Sequence, residues 1–279
     1  MHGLNNTFLY AACRVIAVFD DDEKNTNSEL GEHCINKDCV VEKKYGSGFF
    51  VTRGSKIFFI TNRHMVAFIQ SDNNFFLRQF VAENRYCRTS STLPTEIGTY
   101  SFRDSDCFVF PDDPKIDLAC YQLLPNNIET REKGTLAFYV PFDFLADDAF
   151  LQQLSICDSI ALSGYPHKKE PVLKTGTIAS DPRFDYIVDE NTSGSIVAYD
   201  GFSSDGASGG PVFSFQKGIA VAPPLSGFYR EAKCIGINVG HYQNTAFGVE
   251  LHTGISFFLK STEIIKLINN ADLAIGLNK

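Results

Sequence analysis

Short runs of β-branched and aromatic residues, separated by turn-forming residues, recur along most of the 279-residue chain. Runs of this kind predict β-strands. The first lies near Cys13–Phe19, and another covers Cys107–Phe110. Between them, the alternating run Gly46–Val51 and the run Ile57–Ile60 flank a turn at Gly54-Ser55, which predicts a hairpin. The pattern indicates an all-β body.

The periodicity changes near the end of the chain. Residues 261–272 place apolar side chains at helical spacing after a Ser-Thr start, so they predict a capped amphipathic helix. No internal repeat is present, and no apolar stretch is long enough to span a bilayer. We therefore expect no membrane partner.

The composition allows a large core, since 44% of the residues are hydrophobic and 25 are Phe. The net charge is −8 and Lys and Arg form no run, which argues against a nucleic acid as partner. The acidic cluster Asp20–Glu23 begins a polar stretch that reaches about residue 44. We interpret this stretch as a solvated loop, with a docking or inhibitory segment as the alternative.

Candidate chemistry lies in the segment Gly206-Ala207-Ser208-Gly209-Gly210-Pro211. A serine nucleophile needs a base to take its proton and donors to hold the oxyanion that its attack creates. Glycines around Ser208 allow the N–H groups of Gly206 and Ser208 to converge on one point. The alternative is an ordinary surface turn, so the hypothesis requires a base and a carboxylate elsewhere in the chain.

Both groups occur upstream. His64 follows the second strand of the predicted hairpin, where an imidazole can act as a general base near neutral pH. Asp117 lies in the short apolar run Lys115–Cys120, which we interpret as a strand. A carboxylate in such a run costs free energy unless it is paired, and His64 is the natural partner. Asp112 and Asp113 are interpreted as ordinary turn residues.

The order His, Asp, Ser along the chain and the residues of four short motifs resemble those of the chymotrypsin-like (trypsin-like) serine peptidases. The resemblance is closest to the HtrA-like and bacterial trypsin-like branch, but without a PDZ domain. It covers roughly residues 40 to 260. The motifs are Gly-Ser-Gly-Phe at 46–49, Ile-Thr-Asn-Arg-His at 60–64, Asp-Leu-Ala at 117–119 and Ser-Gly-Gly-Pro at 208–211.

The resemblance implies two six-stranded antiparallel β-barrels with a short C-terminal α-helix, in a single peptidase domain over residues 1–279. The N-terminal barrel would cover about 1–140 with a polar insertion near 20–44, and the C-terminal barrel about 141–260. The helix 261–272 would pack on the second barrel.

The resemblance also implies the catalytic triad of the family, which would be His64, Asp117 and Ser208 in this chain. The oxyanion hole would be formed by Gly206 and Ser208. The substrate pocket would lie around Phe202 and Ile237-Asn238-Val239. Phe202 offers no charge to pair with Lys or Arg, so a small or medium apolar residue is the expected preference before the cleaved bond.

One departure from the family concerns activation. Secreted trypsin-like enzymes carry an Asp before the nucleophile that pairs with a newly cut N-terminus, whereas this chain carries Ala207. Ser208 is then expected either to be reactive without proteolytic processing or to be activated by a partner protein. The expected function is a serine endopeptidase with a narrow range of protein or peptide substrates. The alternatives are a latent or non-catalytic binding module and an esterase or transacylase.

No cofactor is expected. His33, Cys34 and Cys39 cluster, but no second pair at zinc spacing accompanies them, so no metal site is predicted. Among the eight cysteines, Cys107 and Cys120 sit in apolar runs and are expected to be reduced thiols, as is Cys234. Because the N-terminus lacks a signal-peptide pattern, we expect a cytoplasmic protein, and the motif style suggests a bacterial source.

Overall fold

The fold was analysed in a computed structural model of the chain. The structure describes the following residues: 6–20, 41–70, 73–86, 94, 96–102, 107–124, 128–130, 138–166, 170–218, 229–246 and 249–276. The predicted polar insertion lies mainly at 21–40, outside these ranges, as do His33, Cys34 and Cys39.

In the described part of the first half of the chain, ten strands form one sheet system. They are β1 (Ala12–Asp20), β2 (Val41–Arg53), β3 (Lys56–Thr61), β4 (Phe68–Gln70), β5 (Asn73–Tyr86), β6 (Glu96–Phe102), β7 (Phe108–Val109), β8 (Ala119–Leu123), β9 (Ile128–Thr130) and β10 (Val140–Pro141). The main order is β7-β8-β3-β2-β1-β5-β6-β9, with β4 paired to β5. The short β10 pairs in parallel with β2, and the other pairs are antiparallel.

Six strands in the second half close into an antiparallel barrel. They are β11 (Ser159–Gly164), β12 (Val172–Ile178), β13 (Ile196–Asp200), β14 (Pro211–Ser214), β15 (Cys234–Ala246) and β16 (Val249–Lys260), in the order β11-β12-β13-β16-β15-β14. A short helix α1 (Asp148–Leu151) precedes the barrel, and helix α2 (Ser261–Gly276) follows it. Among the described residues, 3-10 turns cover Asn6–Ala11, Arg63–Met65 and Phe142–Phe144.

The predicted all-β class with a C-terminal helix is confirmed, and the second half is the predicted six-stranded barrel, whereas the described strands of the first half pair as a sheet that does not close. The first sheet has more strands than the expected six, because the short strands β4, β7, β9 and β10 add pairings to it. Helix α2 continues past the expected end at 272 to Gly276. The end of the predicted polar stretch is strand, since β2 begins at Val41. Asp20 is buried rather than solvated, and its carboxylate accepts a hydrogen bond of 2.8 Å from Arg78 Nε.

Aromatic side chains fill the first sheet system. Phe50 and Phe59 face each other across the β2–β3 hairpin and pack edge to face. Phe80, Phe102 and Tyr121 extend the same cluster, with each ring buried. Edge-to-face pairs are favourable for aromatic rings. The abundance of Phe in the sequence therefore serves this core.

A second core cluster joins the two halves of the molecule. Phe58 of β3 and Phe213 of β14 belong to it, together with Ile264, Leu267 and Ile268 of α2. Helix α2 thus packs against both sheets and not only against the second barrel. Within the described ranges, neither helix has the length and apolar character needed to cross a bilayer.

We expect Leu267→Ala to destabilise the protein by about 2–5 kcal/mol, because the buried side chain leaves a cavity at the junction of both sheets. The matched control is Lys266→Ala on the exposed face of the same helix, which should change stability by less than about 0.5 kcal/mol. Urea denaturation measures both. Equal losses of stability in the two variants would contradict the conclusion that the buried face of α2 stabilises the junction of the two sheets.

Candidate active site

The β2–β3 hairpin positions His64. Its two-residue turn contains Gly54, whose φ of +61° is a conformation that glycine adopts without steric cost. Strand β3 ends at Thr61, and His64 follows in the 3-10 turn Arg63–Met65. Because β3 pairs antiparallel with β8 through Thr61 and Ala119, the residues just after β3 lie beside those just before β8. This register brings His64 to Asp117.

Asp117 contacts His64 at two points. Its Oδ1 accepts a hydrogen bond of 3.0 Å from the His64 backbone N–H, and its Oδ2 lies 2.7 Å from His64 Nδ1. An ionised carboxylate only accepts hydrogen bonds, so Nδ1 carries the proton in the neutral ring. The other ring nitrogen, Nε2, is then left as a proton acceptor, which is the tautomer that a general base requires.

Asp117 does not lie inside a strand, as the apolar run Lys115–Cys120 suggested. It is in the connection two residues before β8 begins at Ala119. The buried side chain of Asn62 holds this connection, because its Nδ2 donates a hydrogen bond of 2.9 Å to the Asp117 carbonyl. Asp117 is therefore fixed through both its backbone and its carboxylate.

Lys44 of β2 also contacts the 3-10 turn, and its Nζ donates a hydrogen bond of 3.3 Å to the His64 carbonyl. Burial lowers the pKa of Lys44 to about 8, and the negative charges of Glu42 and Asp117 oppose this shift. At pH 7 most Lys44 side chains keep their proton, so a positive charge stays near the His64–Asp117 pair.

The loop that carries Ser208 is held by its backbone. The Ala207 N–H donates to the Ser204 carbonyl at 2.9 Å, and the Gly210 N–H donates to the Ala207 carbonyl at 3.1 Å. Asn238 of β15 makes two further bonds, accepting from the Gly209 N–H and donating to the Gly210 carbonyl, both at 2.9 Å. These bonds fix the loop to the second barrel.

Within residues 206–210, the N–H groups of Gly206 and Ser208 have no protein acceptor among the described residues. Gly206 has a φ of +86°, and a Cβ there would lie 2.5 Å from the Tyr165 carbonyl oxygen, so glycine is required. Unpaired N–H groups beside a serine hydroxyl are what an oxyanion hole needs. The sequence-based assignment of Gly206 and Ser208 to this role stays a prediction.

Ser208 and His64 come from different sheets and are linked by a short path. The Ser47 N–H donates to the Ser208 carbonyl at 2.8 Å, and the Ser47 carbonyl accepts from Thr61 Oγ1 at 2.9 Å, three residues before His64. The structure has no hydrogen bond between the Ser208 hydroxyl and the His64 ring, both of which lie in its described ranges. Such bonds are often long without substrate and tighten in the substrate complex.

A cleft of about 550 Å³ opens beside His64 and Asp117. The first sheet contributes these two residues and Lys115, and the second barrel contributes the opposite wall. The Lys115 ammonium already donates to the Glu190 carbonyl at 2.7 Å. The Asp189 carboxylate accepts hydrogen bonds from Thr192 and Asn191, which lower its pKa.

The predicted pocket residues differ in their exposure and in the groups that they contact. Phe202 is 65% exposed, so its ring does not wall an enclosed pocket. Ile237 is buried in the core that joins the two halves. Asn238 is buried too, and its side chain bonds Tyr199 and Ser203.

Val239 is half-buried and lines the cleft beside His64. Of the four pocket residues, it is the one whose side chain the structure places there. The assignment of these residues to substrate binding stays a prediction.

Sequence reasoning did not single out the hydroxyl of Ser47 or the amide of Asn62. Both residues stand inside the recognised motifs, at 46–49 and 60–64, and that position was the available signal. Their partners are distant in sequence, so composition and spacing could not identify them.

The described cysteines Cys13, Cys107, Cys120, Cys157 and Cys234 are free thiols. Cys120 and Cys234 are buried, as small apolar side chains would be, while Cys107 is only half-buried and precedes β7. In the part of the chain that the structure describes, no three His, Cys, Asp or Glu side chains gather as a metal site.

Comparison with known proteins assigns the class. The family model of the trypsin-like peptidase domain matches residues 46–222, so the chain belongs to this family. The family match places the chain in the trypsin-like peptidase class, and the fold agrees with it. The chain has no match among curated protein sequences.

Solved structures of the HtrA-type protease AlgW resemble the fold. AlgW with a tripeptide shows 16% identity and a TM-score of 0.54, covering 95% of this chain and 62% of that one. A serine-to-alanine variant of AlgW with a decapeptide shows 14% identity and a TM-score of 0.56, covering 93% and 63%. The chain therefore spans less than two thirds of the length of these relatives.

We expect Gly209→Ala to disrupt the Ser208 loop. Gly209 has a φ of +87°, and a Cβ there would lie 2.0 Å from the Ser47 carbonyl oxygen. The control is Gly254→Ala, at a φ of +90° with open space around the Cβ position, which should cost about 1–2 kcal/mol for the backbone conformation alone. Urea denaturation should show a larger loss for Gly209→Ala. Equal losses would contradict the steric argument.

Proposed function

We propose that this protein is a serine endopeptidase that hydrolyses peptide bonds through an acyl-enzyme intermediate. His64 is the general base, Asp117 orients it, and Ser208 is the nucleophile. The observation that carries the proposal is the two-point contact between Asp117 and His64, which leaves Nε2 as a proton acceptor. The unpaired N–H groups of Gly206 and Ser208 supply the second requirement of acyl transfer.

In the first half-reaction, Ser208 Oγ attacks the peptide carbonyl carbon while its proton passes to His64 Nε2. The carbonyl oxygen becomes an oxyanion and accepts hydrogen bonds from Gly206 and Ser208. When the C–N bond breaks, His64 returns the proton to the leaving amine, and the acyl group remains on Ser208.

In the second half-reaction, water replaces the amine. His64 takes a proton from the water as its oxygen attacks the acyl carbon, and it then protonates Ser208 Oγ as the ester bond breaks. Asp117 stabilises the imidazolium that forms in each half-reaction without being protonated itself.

The cleft beside His64 supports a peptide or protein as the substrate. AlgW, a structural relative, has been solved with a tripeptide and with a decapeptide. The apolar side chains Val188, Val239 and Phe257 line the wall from the second barrel, and the Lys115 ammonium at the rim already donates to the Glu190 carbonyl. We propose a narrow substrate range with a small or medium apolar residue before the cleaved bond.

An activating partner protein is a further part of the proposal. It is motivated by Ala207, which cannot make the ion pair that orders this loop in secreted relatives. A latent or non-catalytic module is the alternative, and the labelling experiment below separates the two.

We expect a fluorophosphonate probe to label the native protein on Ser208 and to label neither Ser208→Ala nor His64→Ala. Asp117→Asn should lower the labelling rate by about 10⁴-fold, because Nε2 would no longer be held as the acceptor. Intact-mass spectrometry and gel fluorescence measure the modification.

The controls are Ser155→Ala and Asp112→Asn, which change exposed residues outside the site and should label like the native protein. Absence of labelling in well-folded native protein would contradict constitutive activity and favour the latent module. Turnover of esters but of no peptide would favour the esterase alternative.

A peptide library should show cleavage after small or medium apolar residues, because the apolar side chains Val188, Val239 and Phe257 line the cleft wall from the second barrel. Mass spectrometry of the products gives the profile. Cleavage predominantly after Lys or Arg would contradict this preference while leaving the catalytic proposal intact.

A further inference from the structure

The side chain of Ser47 bridges the two halves of the molecule at the catalytic loop. Its Oγ donates a hydrogen bond of 2.7 Å to the Gly206 carbonyl and accepts one of 2.9 Å from the Tyr165 N–H. Ser47 lies in β2 of the first sheet, whereas Gly206 lies 159 residues later in the second half. The side chain is completely buried, so water cannot replace either partner.

The carbonyl that accepts from this hydroxyl belongs to the peptide group that joins Gly206 and Ala207. The peptide between Gly206 and Ala207 lies between the two peptides whose N–H groups would hold the oxyanion. Its N–H is bonded to the Ser204 carbonyl, and its carbonyl is bonded to Ser47. Both ends of the peptide plane are therefore fixed, and this sets the direction of the neighbouring N–H groups.

A restraint is needed at this position. Gly206 has no side chain to restrict rotation, so the peptide that follows it can turn at low cost. Ala207 has no charged group that could hold the loop from the inside, and its methyl group is buried. The Ser47 hydroxyl is the side chain that binds this peptide in the described structure.

We propose that the Ser47 hydroxyl is a positioning group that keeps the Gly206–Ala207 peptide in the orientation required for the oxyanion hole, with no N-terminal cleavage involved. This inference rests on the proposed function. Ser47 does not touch the substrate, and it acts through the loop. Its removal should leave substrate binding largely unchanged and weaken the interactions that form only as the oxyanion develops.

The test compares Ser47→Ala with Ser163→Ala. Ser163 is a matched control, because it is also completely buried and its Oγ also donates a hydrogen bond of 2.7 Å to a backbone carbonyl, that of Leu9. Ser163→Ala leaves one buried partner unpaired and Ser47→Ala leaves two, so urea denaturation should show a larger loss of stability for Ser47→Ala. A loss of catalysis beyond the change in the folded fraction should occur in Ser47→Ala alone.

For Ser47→Ala we expect kcat on a cleaved peptide to fall by about 10- to 100-fold with KM changed less than about threefold, a loss smaller than that of an oxyanion donor itself. The affinity for a peptide boronate, which forms a tetrahedral adduct with Ser208, should fall in the same proportion. Ser163→Ala should keep native kcat and boronate affinity. If the role of Ser47 is limited to stability, the apparent kcat and boronate affinity of both variants should fall only in proportion to the fraction of protein that is unfolded.

If Ser47→Ala does not fold, Ser47→Cys decides the question, because a thiol keeps the packing but is a weak donor. A well-folded Ser47→Cys with kcat lowered several-fold supports the proposal. Native kcat in a folded Ser47→Ala or Ser47→Cys overturns it while leaving the proposed function standing. Failure of the native protein to react with the boronate or the fluorophosphonate would instead count against the proposed function.

Discussion

The hydrogen bonds between Ser47 and the loop that carries Ser208 are the interaction on which the site depends. The His64–Asp117 pair is attached to the first sheet, and Ser208 is attached to the second barrel, so neither half brings the three residues of the candidate site together alone. The Ser47 N–H and hydroxyl both cross between them, to the carbonyls of Ser208 and Gly206. Because these groups are buried, misalignment would leave unpaired polar atoms and cost free energy.

Apolar packing maintains this alignment over a longer range. The core cluster that includes Phe58, Phe213 and Leu267 draws on the first sheet, the second barrel and helix α2. Close-packed interiors deform little, so a shared core holds the two halves at a set distance. The hydrogen bonds of Ser47 then form between two halves that are already held in place by this core.

Local chemistry made much of the fold and site predictable. The hairpin before His64 follows from a glycine turn between alternating runs, and helix α2 follows from its spacing and start. Asp117 was placed wrongly in a strand, because the apolar run around it resembles one, although the run turns sharply before β8 begins. The pairing of Asp117 with His64 was nevertheless anticipated, since a carboxylate in apolar surroundings requires a partner.

The sequence by itself determined which residues could do chemistry, in what order they occur, and where glycine is needed for the loop of Ser208. Tertiary structure alone decided what Ser47 and Asn62 bind, that Phe202 faces solvent, and which wall the cleft beside His64 presents. The physical reason is that propensity and periodicity act over a few residues. The partner of a buried hydroxyl, by contrast, is set by the packing of strands that lie more than a hundred residues apart.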